Sequence, residues 1–376
     1  MTESPAVFWW NSITNARMII SSVTRTLNDN KMVILDIPCD LPWRSEMRNS
    51  IQFLFRKASS NEEYLFHTID VADECGDTDP GRYLLNRFCV SREVRSSYRT
   101  HSSKTIQQYI IDNQVLHNSI IWLKGFHTAQ IGKWIKFCRD YRSHSISDGL
   151  FLLELHDYRL PDNPDFARII RFNDMITEYD VQLLNSFILN SDDRYSTSWK
   201  KYISTLAAAL CGRDAELSSE LIENINLTAV DPIEGLREIA AQFPFSRRGD
   251  REGSEHVLAL LRRNDLEQIQ KRIWVAQVQN LYPLIELERV YYINKYLQEL
   301  QIALNRDEIK YNNELITRPD DIELGTYYYL LNSHKVSLYN EEDQNRIEFL
   351  RDCRNSLSHL HALDVIRVSQ LLQKHE

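Results

Sequence analysis

The segment Met32-Val-Ile-Leu-Asp-Ile-Pro-Cys-Asp-Leu-Pro-Trp-Arg-Ser45 contains an apolar run that stops at Pro38, followed by a short turn. An uninterrupted apolar run of this length predicts a strand that is buried on both faces. Helical patterns precede it at 16–27 and follow it at about 45–57. A strand between two helices is the repeating unit of a parallel sheet covered on both sides, so this segment predicts an α/β fold.

Further strand-like runs extend the pattern toward residue 172. The predicted strands are 64–71, 119–123, 149–155 and 167–172. A helix is predicted over 128–142, because Ile131, Trp134 and Cys138 recur on one face. We therefore expect a parallel α/β domain over residues 1–190.

Beyond residue 174 the pattern is helical, and no further strand is predicted. The predicted helices are 179–189, 199–210, 217–225, 233–243, 277–304, 321–334, 341–360 and 364–374. The stretch 246–254 is rich in glycine and charge and has the composition of a linker. We expect a helical middle region over 191–275 and a four-helix bundle over 276–376, so the protein is mainly α with an N-terminal α/β domain.

The composition limits the possible functions. Lys and Arg number 44 against 53 Asp and Glu, a formal net charge of −9, so any nucleic-acid role needs a local basic patch. The six cysteines form no C-x-x-C pair, which is typical of free thiols in a reducing compartment rather than of a disulfide or zinc scaffold. No signal-peptide pattern and no run of about 18 apolar residues occurs. We expect a cytoplasmic protein with no membrane contact, no metal and no other cofactor.

The turn at 37–45 is where a nucleotide-binding domain would place its phosphate loop. It contains no glycine and no Gly-Lys-Ser/Thr, its two prolines remove N–H donors, and Asp36 and Asp40 add negative charge. Gly132-Lys133 lies inside a predicted helix and is not such a loop. In the order of its elements and its long helical tail the chain resembles AAA+/STAND P-loop NTPases, which implies a degenerate domain from which we expect no ATPase activity.

Basic residues concentrate between 82 and 104, with a single glutamate among them. They are Arg82, Arg87, Arg92, Arg95, Arg99 and Lys104. Arg92, Arg95 and Arg99 are spaced to share one helical face. A solvated charged face is one interpretation. The other is a nucleic-acid-binding patch that follows phosphates, with Tyr98 and His101 stacking on bases.

The predicted helix 341–360 carries the main candidate site. Its apolar arc contains Ile347, Phe349, Leu350, Cys353, Leu357 and Leu360. Arg354 lies inside that arc and must be paired or line an interface, because burying a lone guanidinium is costly. Asp352, Asn355 and His359 lie on the opposite side. At ~100° per residue, Arg354 and His359 are about 140° apart, so they converge only if the helix ends between them or a second chain brings its copy alongside.

The sequence Arg354-Asn-Ser-Leu-Ser-His359, at the end of a helix that another amphipathic helix follows, resembles the R-x-x-x-x-H signature of the HEPN superfamily. The resemblance covers about a quarter of the chain and implies a module that commonly dimerises and cleaves RNA without a metal. By this resemblance His359 transfers protons at the 2′-hydroxyl, Arg354 stabilises charge on phosphoryl oxygens, and Asn355 positions the reacting groups. Asp352 is the candidate to orient His359.

The resemblance therefore predicts a metal-independent endoribonuclease acting on an RNA substrate as a homodimer. Sensor-like domains joined to such modules occur in toxin and anti-phage defence systems, where a protein partner or antitoxin can restrain the nuclease. The alternative is a non-catalytic interaction or regulatory protein that uses the helical bundle as a docking and dimerisation surface.

Overall fold

The computed structural model describes residues 3–57, 63–99, 104–144, 149–156, 158, 166–242, 245–250, 253–311 and 314–373. Its contacts divide the chain into two compact units, an N-terminal unit, Met1–Asp180, and a C-terminal unit, Val181–Glu376. The described chain is predominantly helical and has one five-stranded parallel sheet. Within the described residues, no helix is both long enough and apolar enough to cross a membrane.

The sheet of the N-terminal unit consists of the five strands that the apolar runs predict. They are β1 (Met32–Asp36), β2 (Leu65–Asp70), β3 (Ser119–Lys124), β4 (Leu150–Leu155) and β5 (Ala167–Arg171). Their order is β2-β3-β4-β1-β5 and every pairing is parallel. All six residues of β4 are buried, as expected of a central strand with helices on both faces. The predicted parallel sheet is therefore confirmed.

Nine helices lie within the described part of the N-terminal unit. They are α1 (Pro5–Ser12), α2 (Thr14–Asn28), α3 (Arg44–Lys57), α4 (Val71–Cys75), α5 (Pro80–Phe88), α6 (Arg92–Ser97), α7 (Ile106–Asp112), α8 (Thr128–Arg142) and α9 (Phe172–Met175). Capping side chains set the first residue of several helices. At the start of α1, which begins at Pro5, the hydroxyl of Ser4 accepts the N–H of Val7. At the start of α5, which begins at Pro80, the carboxylate of Asp79 accepts the N–H of Arg82.

After β1 the chain crosses to β2, which is an edge strand, and then returns through β3 and β4 to the side of β1. The last strand, β5, lies on the other side of β1. This reversal is the switch point of the sheet, outside whose carboxyl ends open α/β folds bind ligands. The turn at 37–45 follows the carboxyl end of β1, and β4 ends beside it. This turn therefore lies where a ligand site of this fold class would be, although it lacks the residues of a phosphate loop.

The C-terminal unit is helical, and the helix Glu178–Asn190 leads into it. Its helices are α10 (Glu178–Asn190), α11 (Thr197–Cys211), α12 (Ala215–Asn224), α13 (Pro232–Ala240), α14 (Val257–Arg262), α15 (Leu266–Lys295), α16 (Leu297–Arg306), α17 (Leu324–Asn332), α18 (Glu341–Ser358) and α19 (Val365–Leu372). One apolar core extends from Leu189 to Leu372. The carboxylate of Asp231 accepts from the N–H of Ile233 at 2.8 Å and starts α13 before Pro232.

Three details of the C-terminal unit differ from the prediction. A short antiparallel hairpin, β6 (Lys310–Tyr311) and β7 (Glu314–Leu315), occurs where no strand was expected, because two-residue strands leave no periodic pattern. The predicted helix 277–304 is two helices, since α15 begins at Leu266 and ends before Tyr296. The predicted boundary at residue 276 thus falls inside α15, and the division into 1–190, 191–275 and 276–376 stays a prediction.

The third correction concerns the predicted linker, 246–254. Within its described part, Arg248 is only 9% exposed, and its guanidinium binds the carboxylates of Asp214 and Glu216. Asp214 also accepts from Nε2 of His256 at 3.1 Å, because Nδ1 of that ring accepts the N–H of Leu258. The described part of this stretch is therefore a packed turn with a buried ion pair, and the prediction of a linker is wrong there.

Candidate functional site

Helix α18 starts at Glu341 as predicted and ends at Ser358, ahead of the predicted end at residue 360. The side chain of Asn340 accepts the N–H of Glu342 at 2.9 Å, and three acidic residues occupy the first turn at the positive end of the helix dipole. The helix ends at Ser358, and His359 is its C-cap, with its N–H bonded to the carbonyls of Asn355 and Ser356. The R-x-x-x-x-H motif therefore closes the helix, and His359 still belongs to its last hydrogen-bonded turn.

Two side chains of α15 fix the chain around this turn. The indole Nε1 of Trp274 donates to the carbonyl of Leu357 at 2.6 Å, which satisfies one of the unpaired carbonyls at the end of α18. Gln277 is 1% exposed, and its amide both donates to the carbonyl of Leu363 and accepts that residue's N–H, at 2.9 and 2.6 Å. The turn that carries His359 is thus held before and after the histidine.

Arg354 is paired with carboxylates, as its place in the apolar arc requires. Its Nη2 donates to Oε2 of Glu323 at 2.7 Å, and its Nε lies 4.0 Å from Oε1 of Glu286. The side chain is 23% exposed, and its buried Nε has no hydrogen-bond partner among the described residues. Sequence reasoning missed both glutamates, because a helical wheel reports neighbours on one helix and these lie on α15 and just before α17.

The other predicted residues of the motif are accessible. Asn355 and His359 are exposed, so both can meet a molecule from solution. Asp352 instead binds its neighbour, with Oδ1 2.9 Å from Nε of Arg351, and that guanidinium lies 3.4 Å from the centre of the Tyr328 ring. The carboxylate of Asp352 is thus engaged by Arg351, and its expected role in orienting His359 stays a prediction.

At the switch point of the N-terminal sheet, three donors converge on one buried carboxylate. Glu154 is 1% exposed and accepts from Nε and Nη2 of Arg48 at 3.2 and 2.8 Å, and from the indole of Trp122 at 3.0 Å. Nη1 of Arg44 lies 3.4 Å from the same carboxylate, and its Nη2 donates to the carbonyl of Cys39. Cations that could face a phosphate here are engaged within the protein.

Other ionisable groups occupy the same edge of the sheet. Burial raises the pKa of Asp36 at the end of β1, while the N–H of Tyr158 and the guanidinium of Arg171, 4.0 Å away, oppose that shift. At the ends of β2 and β3, Nζ of Lys124 donates to Asp70 at 2.6 Å and lowers the pKa of that carboxyl. Arg171 and Lys124 each face a carboxylate of the protein, so neither offers an unpaired positive charge to a nucleotide.

The predicted nucleic-acid patch is only partly on one helix. Arg92 and Arg95 lie in α6, which ends at Ser97, so the expectation that Arg99 shares its face is wrong. Tyr98 packs between the guanidinium of Arg82, 5.1 Å from its ring centre, and the ring of Tyr109. His101 lies outside the described residues. Nearby, Arg87 binds Glu74 and Tyr83, so part of this positive charge is neutralised within the chain.

Within the described residues, no group of three or more His, Cys, Asp or Glu side chains is arranged to hold a metal ion. The pKa of the Cys353 thiol is raised to about 12, chiefly by burial, so the thiol beside Arg354 is not a nucleophile near neutral pH.

The fold defines a class, a parallel five-stranded α/β unit followed by a helical unit. No family model matches the chain, and no curated protein matches it. Among solved structures, a Drosophila ORC complex bound to poly(dA/dT) DNA and Cdc6 is 11% identical, with a TM-score of 0.28 over 98% of this chain and 71% of that chain. A Drosophila ORC complex bound to GC-rich DNA and Cdc6 is 11% identical, with a TM-score of 0.26 over 98% and 72%. These likenesses are too weak to carry a functional argument.

Proposed function

We propose that the protein is a metal-independent endoribonuclease of HEPN type, whose site is formed by Arg354, Asn355 and His359. The observation that carries the proposal is that α18 ends at Ser358. His359 therefore presents an exposed imidazole at the end of the helix, and Asn355 presents an exposed amide in the last helical turn. The guanidinium of Arg354 belongs to the residue just before Asn355. The remaining support is the resemblance of the motif to the HEPN signature.

The chemistry follows from the three functional groups. His359 removes the proton of a ribose 2′-hydroxyl, whose oxygen attacks the adjacent phosphorus and displaces the 5′-oxygen, which takes up a proton as it leaves. An imidazole can both accept and donate a proton, which suits this transfer. The guanidinium of Arg354 stabilises the negative charge on the phosphoryl oxygens, and Asn355 positions the phosphodiester. The products are a 2′,3′-cyclic phosphate and a 5′-hydroxyl.

A homodimer is part of the proposal, because two copies of the motif would bring a second Arg354 and His359 to the site. The shared site would also offer Arg354 a phosphate in place of Glu323. We further propose that the protein is a cytoplasmic toxin or anti-phage effector, whose partner is an antitoxin or another regulatory protein. The N-terminal unit then restrains or positions the nuclease without hydrolysing ATP, an idea supported by the pairing of Arg44 and Arg48 with Glu154.

The experiment is RNA cleavage by the full chain in excess EDTA, with mass spectrometry of the product ends. We expect cleavage to persist in EDTA and to fall about 100-fold or more in Arg354→Ala and in His359→Ala, as for a lost general base or charge stabiliser. His361→Ala, which removes an exposed imidazole two residues along the same turn, is the matched control and should keep full activity. Cleavage that requires added Mg²⁺, or that ends in 3′-hydroxyl groups, would rule out this mechanism.

A second candidate function is a non-catalytic docking module. It is favoured by the pairing of Arg354 with Glu323, which gives the arginine a structural role, and by the exposure of Leu360 and Ile366 beside the motif, at 64% and 71%. If both alanine variants lose self-association while wild-type protein cleaves no RNA, the docking function is correct.

A further inference from the structure

Helices α2 and α3 of the N-terminal unit form a surface whose charge is opposite to that of the whole chain. Together they carry six basic side chains and one acidic side chain, whereas the formal net charge of the protein is −9. An open groove of about 410 Å³ lies between them, which we call the α2–α3 groove. It is lined by Ser21, Thr24, Arg25, Asn28, Leu54 and Lys57.

Most of this positive charge is available to a ligand. Arg44 and Arg48 are engaged by Glu154. The other four cations are exposed and form no ion pair within the part of the chain that the structure describes. These four are Arg17, Arg25, Arg56 and Lys57. The basic stretch around α6 differs in this respect, because there Arg87 is bound by Glu74.

Apolar side chains stand beside the same cations. Phe53 is 71% exposed, Met18 49% and Leu54 38%. Phe53 lies one turn before Lys57 on α3, so an aromatic face and a cation are neighbours on one side of that helix. Exposed aromatic rings next to cations are the combination by which proteins bind unpaired bases and the phosphates that join them.

We propose that the α2–α3 groove binds a single strand of nucleic acid, with Arg25 and Lys57 contacting phosphates and Phe53 stacking on a base. The lining of the open groove includes Thr24, which is only 5% exposed, and the exposed cations Arg25 and Lys57 match the charge of a polyanion. A duplex offers no free base face to Phe53, which is why the ligand is a single strand.

This inference goes beyond the proposed nuclease, since binding at the groove needs neither Arg354 nor His359. The test separates the two. Binding is measured by fluorescence anisotropy on the full-length His359→Ala protein, so that RNA stays intact. The probes are labelled oligouridylate, oligodeoxythymidylate and a duplex, each of about 16 nucleotides, the upper range of a single-strand site.

We expect both single strands to bind more tightly than the duplex. A difference in affinity between oligouridylate and oligodeoxythymidylate would show whether the groove prefers RNA or DNA. The charge reversal Arg25→Glu with Lys57→Glu should weaken binding about tenfold or more and reduce the slope of log K against log salt by about 1.4, or ~0.7 per lost phosphate contact. Phe53→Ala should weaken binding about fivefold or more, and Phe53→Tyr should restore it.

The matched control is Lys133→Glu with Lys136→Glu on α8, which changes the same charge at two exposed lysines of the same unit. It should bind as the parent does. If a reversed variant fails to fold by circular dichroism, Arg25→Gln with Lys57→Gln replaces it. Equal losses in groove and control variants, no binding by the parent, or binding to anionic phospholipid vesicles in preference to oligonucleotides would each overturn the proposal.

Discussion

Nη2 of Arg354 donates a hydrogen bond to Oε2 of Glu323 at 2.7 Å, so the arginine of the motif is held by a residue that lies 31 positions earlier in the chain. Glu323 immediately precedes α17, whereas Arg354 lies in the last two turns of α18. The pair therefore ties two helices of the C-terminal unit together at the candidate site, and it supplies the counter-charge that a half-buried guanidinium needs.

The first prediction concerns this pair. Glu323→Gln removes the charge and should lower the free energy of unfolding by about 1 kcal/mol, the scale of a charged hydrogen bond that is partly exposed. Urea unfolding of Glu323→Gln, Arg354→Met and the double variant gives the coupling energy. Glu341→Gln, an acid in the first turn of α18 without this pairing, is the control. A coupling energy of zero would mean that the hydrogen bond does not stabilise the fold.

The second prediction concerns pH. The hydrogen bond from Lys124 lowers the pKa of Asp70 below its usual 3.8, so the unfolded state binds more protons between the two pKa values and stability falls as the pH falls through that window. Lys124→Met should cost about 1 kcal/mol at pH 7, because both side chains are partly exposed. The difference from wild type should vanish below the lowered pKa. Urea unfolding at several pH values measures it, and a pH-independent difference would contradict this account.

The third prediction concerns self-association. If each site combines Arg354 of one chain with His359 of the other, half of the sites in a mixed dimer keep both groups and half lose both. Mixing inactive Arg354→Ala protein with inactive His359→Ala protein should then restore part of the RNA cleavage. Light scattering at micromolar concentration should give twice the mass of the chain. A monomer that cleaves RNA would exclude a composite site.

The fourth prediction is that ATP is not hydrolysed above background by the full chain. The turn at 37–45 has no glycine or lysine, and Arg44 and Arg48 are paired with Glu154. Phosphate release measured over hours should match a buffer control. Turnover that is abolished by Arg44→Ala or Lys31→Ala would show that this turn binds nucleotide after all.

The sequence predicts the parallel sheet well because each strand is an apolar run with a clear end. Helix α8 occupies 128–142 as its periodicity indicates, and the end of β1 at Asp36 is one residue from the prediction. A wheel also shows that Arg354 needs a partner. It cannot show that the partners are Glu323 and Glu286, because these reach it from other elements and contacts between helices leave no local pattern.

Composition misleads where a charged segment is buried. The stretch from 246 looks like a loop because it contains Gly249 and several charges, yet Arg248 is enclosed with Asp214. Gly249 has a φ of +73°, and a Cβ there would lie 2.8 Å from Cβ of His256. Only the folded chain shows that a flexible-looking glycine is required by a close approach.

The buried pair of Arg248 and Asp214 has a practical meaning for anyone who divides the gene. Cutting this stretch ahead of Arg248 would put the arginine and its carboxylate on different polypeptides, each with an uncompensated charge in its interior. A fragment intended to express the motif by itself should begin ahead of Asp214, near the start of α10, and a protease should find the segment between Phe245 and Asp250 a poor substrate.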